Sequence, residues 1–334
     1  MANGDGGEEG AAASGKRPLR IGTRGSPLAL AQSGQTAARL KAAGHPAELV
    51  VVRTSGDRLA DVSLAKVGGK GLFIKELEES LARGEIDLAI HSMKDVPAEL
   101  PAGFVLAAVT ERADERDVLV LPEDARVGEV GFLDGDAALS ALRAGARIGT
   151  GSLRRRAQIA ARRPDVATAA IRGNVDTRLD KLRRGEVDAV VLAAAGVARL
   201  GLEIRTRPLD SNGFLPSPGQ GALAIECRED DASTQACVAV LNDPASASAC
   251  IAERSFVREL EASCVVPVAG LARATTANEV RLDGLVASLD GKTILRAQAT
   301  GAAGAVGVEL AQRLIAQGAR DVLDEVERQM AAET

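Results

Sequence analysis

The sequence predicts an α/β protein, with two doubly wound α/β lobes joined by two hinge crossings and a small α+β domain at the C-terminal end. Three observations carry this. Short aliphatic runs alternate with helical periodicity twice over, first from Pro18 to about Val109 and again from Val118 to Leu192. Two turn-rich or charged segments, Glu111 to Asp117 and Pro216 to Gly221, stand where the chain would cross between lobes. Beyond Asp243 the alternation gives way to helix, three strands, helix. At 334 residues the chain exceeds one ordinary core and fits two or three domains.

In order, the first block reads as strand Leu19 to Thr23, a helix from Leu28, strand Leu49 to Val52, a helix from Leu72, strand Ile86 to Ile90 and strand Phe104 to Val109. The second reads as strands Val118 to Leu121 and Arg147 to Gly149, a helix from Leu153, strand Val166 to Ile171, a helix from Val175 and strand Val187 to Leu192. Ala222 to Glu226 reads as a strand returning to the first lobe, which leaves a cleft between lobes, a common ligand site. The C-terminal part reads as a helix around Ser246 to Leu260, strands near Val265 to Leu271, Glu279 to Ala287 and Thr293 to Thr300, and one last helix from Val306 to Glu327. The expected domains are therefore 18–112 with 219–242, then 113–218, then 243–334. Residues 1–17, rich in Gly, Ala and Glu, read as a disordered, uncleaved tail, and 121–147 as a surface insertion with one short helix.

Composition removes several classes of function. With no Trp or Tyr and five Phe, base stacking has little to work with, and a net charge of -5 opposes general attraction to nucleic acid or acidic membranes. No apolar stretch is long enough to span a bilayer. Four cysteines without a CxxC pair and two histidines make a zinc site improbable, and free thiols point to a reducing, cytoplasmic setting.

Chemistry is sought first at His91-Ser92-Met93-Lys94-Asp95-Val96-Pro97, where a lysine and a carboxylate follow an apolar run. Ligands of open α/β sheets bind beyond the carboxyl ends of strands, so Asp95 reads as a buried or half-buried acid at a cleft; a solvated turn fits the same pattern. Ser26-Pro27 and Ser152 each start a helix, with Arg24 before the first and Arg154 and Arg155 in the first turn of the second. Each is either an anion site or a plain cap with exposed arginines. From Arg147 to Arg184 eleven Arg or Lys face three acids, Asp165, Asp176 and Asp180. A solvated face accounts for Arg162, Arg163, Arg183 and Arg184, but less well for Arg154, Arg155, Arg172 and Arg178 at strand ends and early helix turns. Lys66 to Phe73 is glycine-rich without P-loop spacing and reads as a lid or a surface turn. Cys264 lies in a turn of the small domain, where a thiol is either a nucleophile or an inert filler.

Taken in order, Ile21 to Ala29, Lys66 to Phe73, His91 to Pro97, Gly149 to Arg155, Arg172-Gly173-Asn174 with Thr177-Arg178-Leu179, Pro218 to Ala222 and Cys264 resemble the porphobilinogen deaminase family, also called hydroxymethylbilane synthase. The resemblance spans nearly the whole chain from Leu19. It implies a three-domain transferase that joins four porphobilinogen molecules head to tail, releasing ammonia, on a dipyrromethane cofactor held by a thioether. Cys264 matches the attachment cysteine and Asp95 the catalytic carboxylate. Lys94, Ser152, Arg154, Arg155, Lys70, Thr150 and Gly173 match cofactor contacts; Arg24, Ser26, Arg172, Arg178, Lys66, Phe73 and Gln220 match substrate contacts. It further implies a cytoplasmic monomer whose partners are porphobilinogen and the growing oligopyrrole, with no metal, nucleic acid or membrane. Ala262-Ser263 before Cys264 departs from the glycine usual in the family at one or both positions. Two rival readings remain: a two-lobed anion-binding receptor like the periplasmic binding proteins, and a nucleic-acid binder prompted by the arginines. The first needs no thiol in a third domain, and the second would show salt-sensitive association.

Overall fold

The computed structural model describes residues 17–53, 74–123, 136–262 and 266–332. The first lobe opens with β1 (Leu19–Thr23), α1 (Pro27–Ala42), β2 (Ala47–Val51), α2 (Lys75–Ala82), β3 (Leu88–Ser92) and β4 (Phe104–Val109). The second holds β5 (Asp117–Val120), α3 (Asp136–Ser140), β6 (Arg147–Gly149), α4 (Leu153–Arg162), β7 (Ala167–Ala169), α5 (Val175–Arg183), β8 (Ala189–Ala193), α6 (Ala194–Arg199) and β9 (Thr206–Pro208). β10 (Leu223–Arg228) then returns to the first lobe, followed by α7 (Ala232–Val238).

The two lobes carry five-stranded sheets of matching topology, β2-β1-β3-β10-β4 and β7-β6-β8-β5-β9. In the first, β1 runs parallel to β2 and β3, while β10 is antiparallel to β3 and β4. In the second, β6 is parallel to β7 and β8, while β5 is antiparallel to β8 and β9. Each sheet is covered on both faces, as its nearly uniform apolar strands require. In the second lobe Leu119, Ile148 and Val191 pack on α4, whereas Val118, Val120, Val190 and Leu192 pack on α5.

Both lobes use the same local device to start their first helix. Ile21-Gly22-Thr23 ends β1 before the Ser26 cap, and Ile148-Gly149 ends β6, with Thr150 leading on to the Ser152 cap. The glycines make room for a neighbouring chain. A Cβ on Gly22 would sit 2.2 Å from Ile86 Cδ1, and one on Gly149 would sit 2.6 Å from Ile171 Cδ1.

The last unit contains α8 (Pro244–Glu259), β11 (Val268–Ala274), β12 (Val280–Ala287), β13 (Ile294–Gly301), α9 (Ala303–Ala316) and α10 (Ala319–Ala332). Its antiparallel sheet β11-β12-β13 packs on helices α8 and α9. These helices touch where Gly307 faces Ala252 and Ser255, a place with no room for a Cβ. The single final helix expected from Val306 to Glu327 is instead two helices. Gly318, at φ +96°, takes a left-handed conformation that breaks the ladder between them.

Glu253 of α8 ties this unit to both crossings. Its fully buried carboxylate pairs with Arg112 Nη1 at 2.6 Å and accepts from the backbone N–H groups of Gly219 at 2.5 Å and Ala272 at 2.7 Å. Removing one partner of a buried pair leaves the other charge uncompensated. Glu253→Ala is expected to lower stability by about 3–5 kcal/mol in equilibrium denaturation; a wild-type midpoint would show that this carboxylate does not clamp the hinges.

Candidate functional site

The carboxyl ends of the central strands face each other across a cleft of about 300 Å3. β3 runs to Ser92 and then tightens into a single 3-10 turn, Met93–Asp95, which presents Lys94 and Asp95 to the cleft. Asp95 is exposed rather than buried or half-buried as expected, because the turn carries it past the sheet edge. His91, one residue inside the strand, points the other way: its Nε2 lies 2.8 Å from the buried Glu226 Oε2 on β10. It joins two strands of the sheet.

Among the described residues five cations line the cleft, Arg24, Lys94, Arg155, Arg178 and Arg199, against two acids, Asp95 and Asp176. They crowd one another in a partly desolvated space. Desolvation pushes the Lys94 ammonium down to about 8, with Arg155 and Arg154 adding to the effect and Asp95 and Asp117 opposing it. Desolvation also lowers Arg178 to about 10, helped by the nearby Arg155 and opposed by Asp95. Arg199 is lowered by desolvation as well, while its Nη2 donates to Gly221 O at 2.6 Å. Cations held in this way favour an incoming anion, which relieves both burial and mutual repulsion.

Beneath this layer sits Asp117, fully buried at the start of β5. Burial alone would raise its carboxyl, but Arg154 and Arg155 outweigh that and hold it well below the usual range. Arg154 Nη1 is 2.8 Å from Asp117 Oδ2, and Arg155 Nη2 is 2.7 Å from Oδ1. Each guanidinium also donates to a backbone carbonyl, Arg154 to Leu215 and Arg155 to Val191. Gln220 completes the network: its Nε2 donates to Asp117 Oδ1 at 2.9 Å and to Glu115 O at 2.8 Å, while its Oε1 accepts from Lys94 Nζ at 3.3 Å.

Of the residues marked in the sequence, Arg24, Ser26, Lys94, Asp95, Arg155, Gly173, Arg178 and Gln220 share this one cleft. Arg178 is aimed by a bond from its Nε to Gly173 O at 2.9 Å, made possible by the left-handed Gly173 at φ +97°. Arg154, Thr150, Ser152 and Arg172 do not line it. Thr150 is buried and accepts from Ser152 N at 3.2 Å, Ser152 caps α4 by accepting from Arg155 N, and Arg172 is half-buried on the turn before Gly173. Ser26 likewise caps α1, accepting from Ala29 N at 3.3 Å. Cys264, Lys66, Lys70 and Phe73 lie outside the described residues.

Two of the arginines assigned to a solvated face are structural. Arg162 bonds Gln158 O and Gly213 O and stands 5.7 Å from the Phe214 ring centroid, and Arg163 holds Leu139 O and Leu142 O. Arg183 and Arg184 are exposed as expected. Sequence reasoning missed Asp117, Arg199 and Gln32, whose Nε2 donates to Ser92 Oγ at 3.0 Å on the cleft wall. The one signal for Asp117 was an excess of arginine large enough to need a buried partner.

Comparison with known proteins covers almost the whole molecule. The family model described as "Porphobilinogen deaminase, dipyromethane cofactor binding domain" matches residues 19–236, and "Porphobilinogen deaminase, C-terminal domain" matches 247–316. A porphobilinogen deaminase of Shouchella clausii is 48% identical over 319 residues, covering 94% of this chain and 99% of its own. One of Trichlorobacter lovleyi is 47% identical over 315 residues, covering 92% and 96%. Among solved structures, a periplasmic substrate-binding protein of Coxiella burnetii aligns over 69% of this chain and 94% of its own at 15% identity, with a TM-score of 0.39.

Proposed function

Because the chain belongs to the porphobilinogen deaminase family, we propose that it joins four porphobilinogen molecules head to tail into linear hydroxymethylbilane, releasing ammonia at each step. It is a deaminating transferase of tetrapyrrole and haem biosynthesis that works on a dipyrromethane cofactor. The observation that carries this is the set of cations, Arg24, Lys94, Arg155, Arg178 and Arg199, gathered with the exposed Asp95 at the hinge cleft, where desolvation lowers Lys94, Arg178 and Arg199.

The cleft fits such a group. Each pyrrole ring bears an acetate and a propionate, and the carboxylates of a two-ring primer would answer the excess of cations over acids among the described residues of the cleft. When bound, the dipyrromethane supplies a nucleophilic ring carbon and an anionic handle. Cys264 is assigned as its attachment point, since a soft thiolate adds readily to the electrophilic methylene left by ammonia loss and the thioether resists hydrolysis. Lys70, Thr150, Ser152, Arg154 and Gly173 are assigned with Lys94 and Arg155 to holding it. Thr150, Ser152 and Arg154 would act from behind, by fixing the helix start and the Asp117 pair.

Arg24, Ser26, Arg172, Arg178, Lys66, Phe73 and Gln220 are assigned to the substrate and the lengthening chain. Asp95 faces the charge that develops. As the substrate C–N bond breaks, the electron pair leaves with nitrogen and the pyrrole becomes cationic; the Asp95 carboxylate accepts its N–H hydrogen bond and stabilises that charge. The C–C bond formed with a terminal ring carbon would release a ring proton, and Asp95 would receive that proton or pass one to the leaving amine.

The same reading divides the chain at 18–112 with 219–242, 113–218 and 243–334, supported by the three separate sheets. It takes the protein as cytoplasmic, in line with the free thiols of Cys227, Cys237 and Cys250, and as a monomer. Among the described residues no helix is long and apolar enough to cross a membrane.

A kinetic pH profile tests the assignment. Lys94 is charged below its value of about 8 and neutral above it, so kcat/KM for porphobilinogen is expected to fall as pH rises through about 8. Lys94→Gln should start lower and lose that limb. A profile unchanged by the substitution, or purified protein that consumes no porphobilinogen, would overturn the reading.

A further inference from the structure

Among the described residues no hydrogen bond or ion pair is recorded for the Asp95 carboxylate, so the backbone turn that carries it has to set its position. Besides the Lys94 side-chain bond to Gln220, contacts to the backbone hold that turn and the residues just after it. Met93 N donates to Ala222 O at 3.0 Å, linking it to the start of β10. Gly219 of the second crossing lies against it so closely that a Cβ there would fall 2.9 Å from Lys94 N. The third contact comes from the C-terminal domain. Arg254 on α8 donates through Nη2 to Ala98 O at 2.9 Å and through Nη1 to Val96 O at 3.4 Å. These two carbonyls flank Pro97, which has no N–H to offer, so the chain just after Asp95 has few internal bonds of its own.

We propose that Arg254 is a positioning residue for Asp95, fixing the carboxylate relative to the domain assigned to carry the cofactor. The inference rests on the functional reading above. The helix supplies the rigidity. From Arg254 to Leu260, where α8 is capped, is about 9 Å at the usual helical rise. Past that cap Glu261 turns left-handed at φ +51°, and the chain leads on to Cys264. The helix end is itself secured, because Arg320 donates to Leu260 O at 3.1 Å, to Glu259 O at 3.1 Å and to Glu261 Oε2 at 2.8 Å. Glu253, one residue before Arg254, grips Gly219 and Arg112 in the two crossings. Two consecutive residues of α8 thus divide the work: Glu253 holds the hinges, and Arg254 holds the turn that carries the reacting acid.

A bidentate guanidinium over two carbonyls restrains orientation as well as distance. Loss of that restraint should misplace Asp95 without removing it, and displacements of about 1 Å can cost about a hundredfold in rate. Arg254→Ala, purified with its cofactor and verified by mass, is expected to lose about ten- to hundredfold in kcat. KM and thermal midpoint should stay close to wild type. Millimolar guanidinium should restore part of kcat by refilling the vacated site, whereas equal ammonium should not. Arg254→Lys keeps the charge but not the fork, and should also lose kcat at unchanged KM; it carries the test if the alanine variant fails to fold. Wild-type kcat in the lysine variant would overturn the proposal, as would a loss in the alanine variant that tracks cofactor content or melting and is not rescued. Wild-type enzyme assayed alongside separates the cases, because an inactive wild type would sink the functional reading itself.

Discussion

Replacing Asp95 by alanine is expected to lower kcat by about 10²–10³-fold, the scale on which a preorganised group facing developing charge acts. The fold should survive. Asp95 is exposed, so truncation costs no buried partner and stability should move by no more than about 0.5 kcal/mol. Asp95→Asn keeps the size and an acceptor oxygen while losing the charge, so it isolates the electrostatic part and should fall nearly as far. A secondary effect follows from the cleft itself. Asp95 raises the Lys94 ammonium against desolvation, so the basic limb of kcat/KM should shift to lower pH in the alanine variant. Steady-state kinetics with a melting curve checks both. Near-wild-type turnover in Asp95→Ala would make this carboxylate incidental.

The second large effect is expected at Cys264. Cys264→Ala should yield a folded chain without covalently attached rings and with activity reduced to background. The other thiols make poor substitutes. Cys227 is buried in the first-lobe core and Cys250 is buried on α8, and burial pushes their thiols up to about 11 and about 12. Near neutral pH they remain protonated, and the thiolate is the nucleophile. Cys237 sits on α7 and does not line the cleft. If Cys264→Ala keeps full activity and attached rings, the attachment point lies elsewhere.

Local features of the site were legible in the sequence, because local rules place them. Ser26 and Ser152 cap helices as their neighbours imply, and the apolar run into His91 ends a strand at the cleft. Features set by long-range pairing were not. Glu111 to Asp117 reads as a charged crossing, yet Asp117 is the buried counter-ion of two arginines nearly forty residues away. The same absence of tertiary information made Arg162 and Arg163 look solvated, when their partners are carbonyls of distant loops. Arg199 follows Ala194-Ala195-Gly196-Val197-Ala198, a stretch with no pattern to mark it, and reaches the cleft only because α6 packs on α1. Asp95 was expected to be sheltered, since strand ends usually are; one extra 3-10 turn places it in the open cleft. The final helix was read through Gly318 because apolar spacing continues on both sides of the break.

All of these assignments depend on an anionic oligopyrrole anchored beside Asp95 and the cleft cations. Intact-mass measurement of the purified protein, before any substrate is added, addresses that directly. The wild-type chain should carry the excess mass of two linked pyrrole units, and Cys264→Ala should carry none. A fully active wild type at the bare mass of the polypeptide would contradict it.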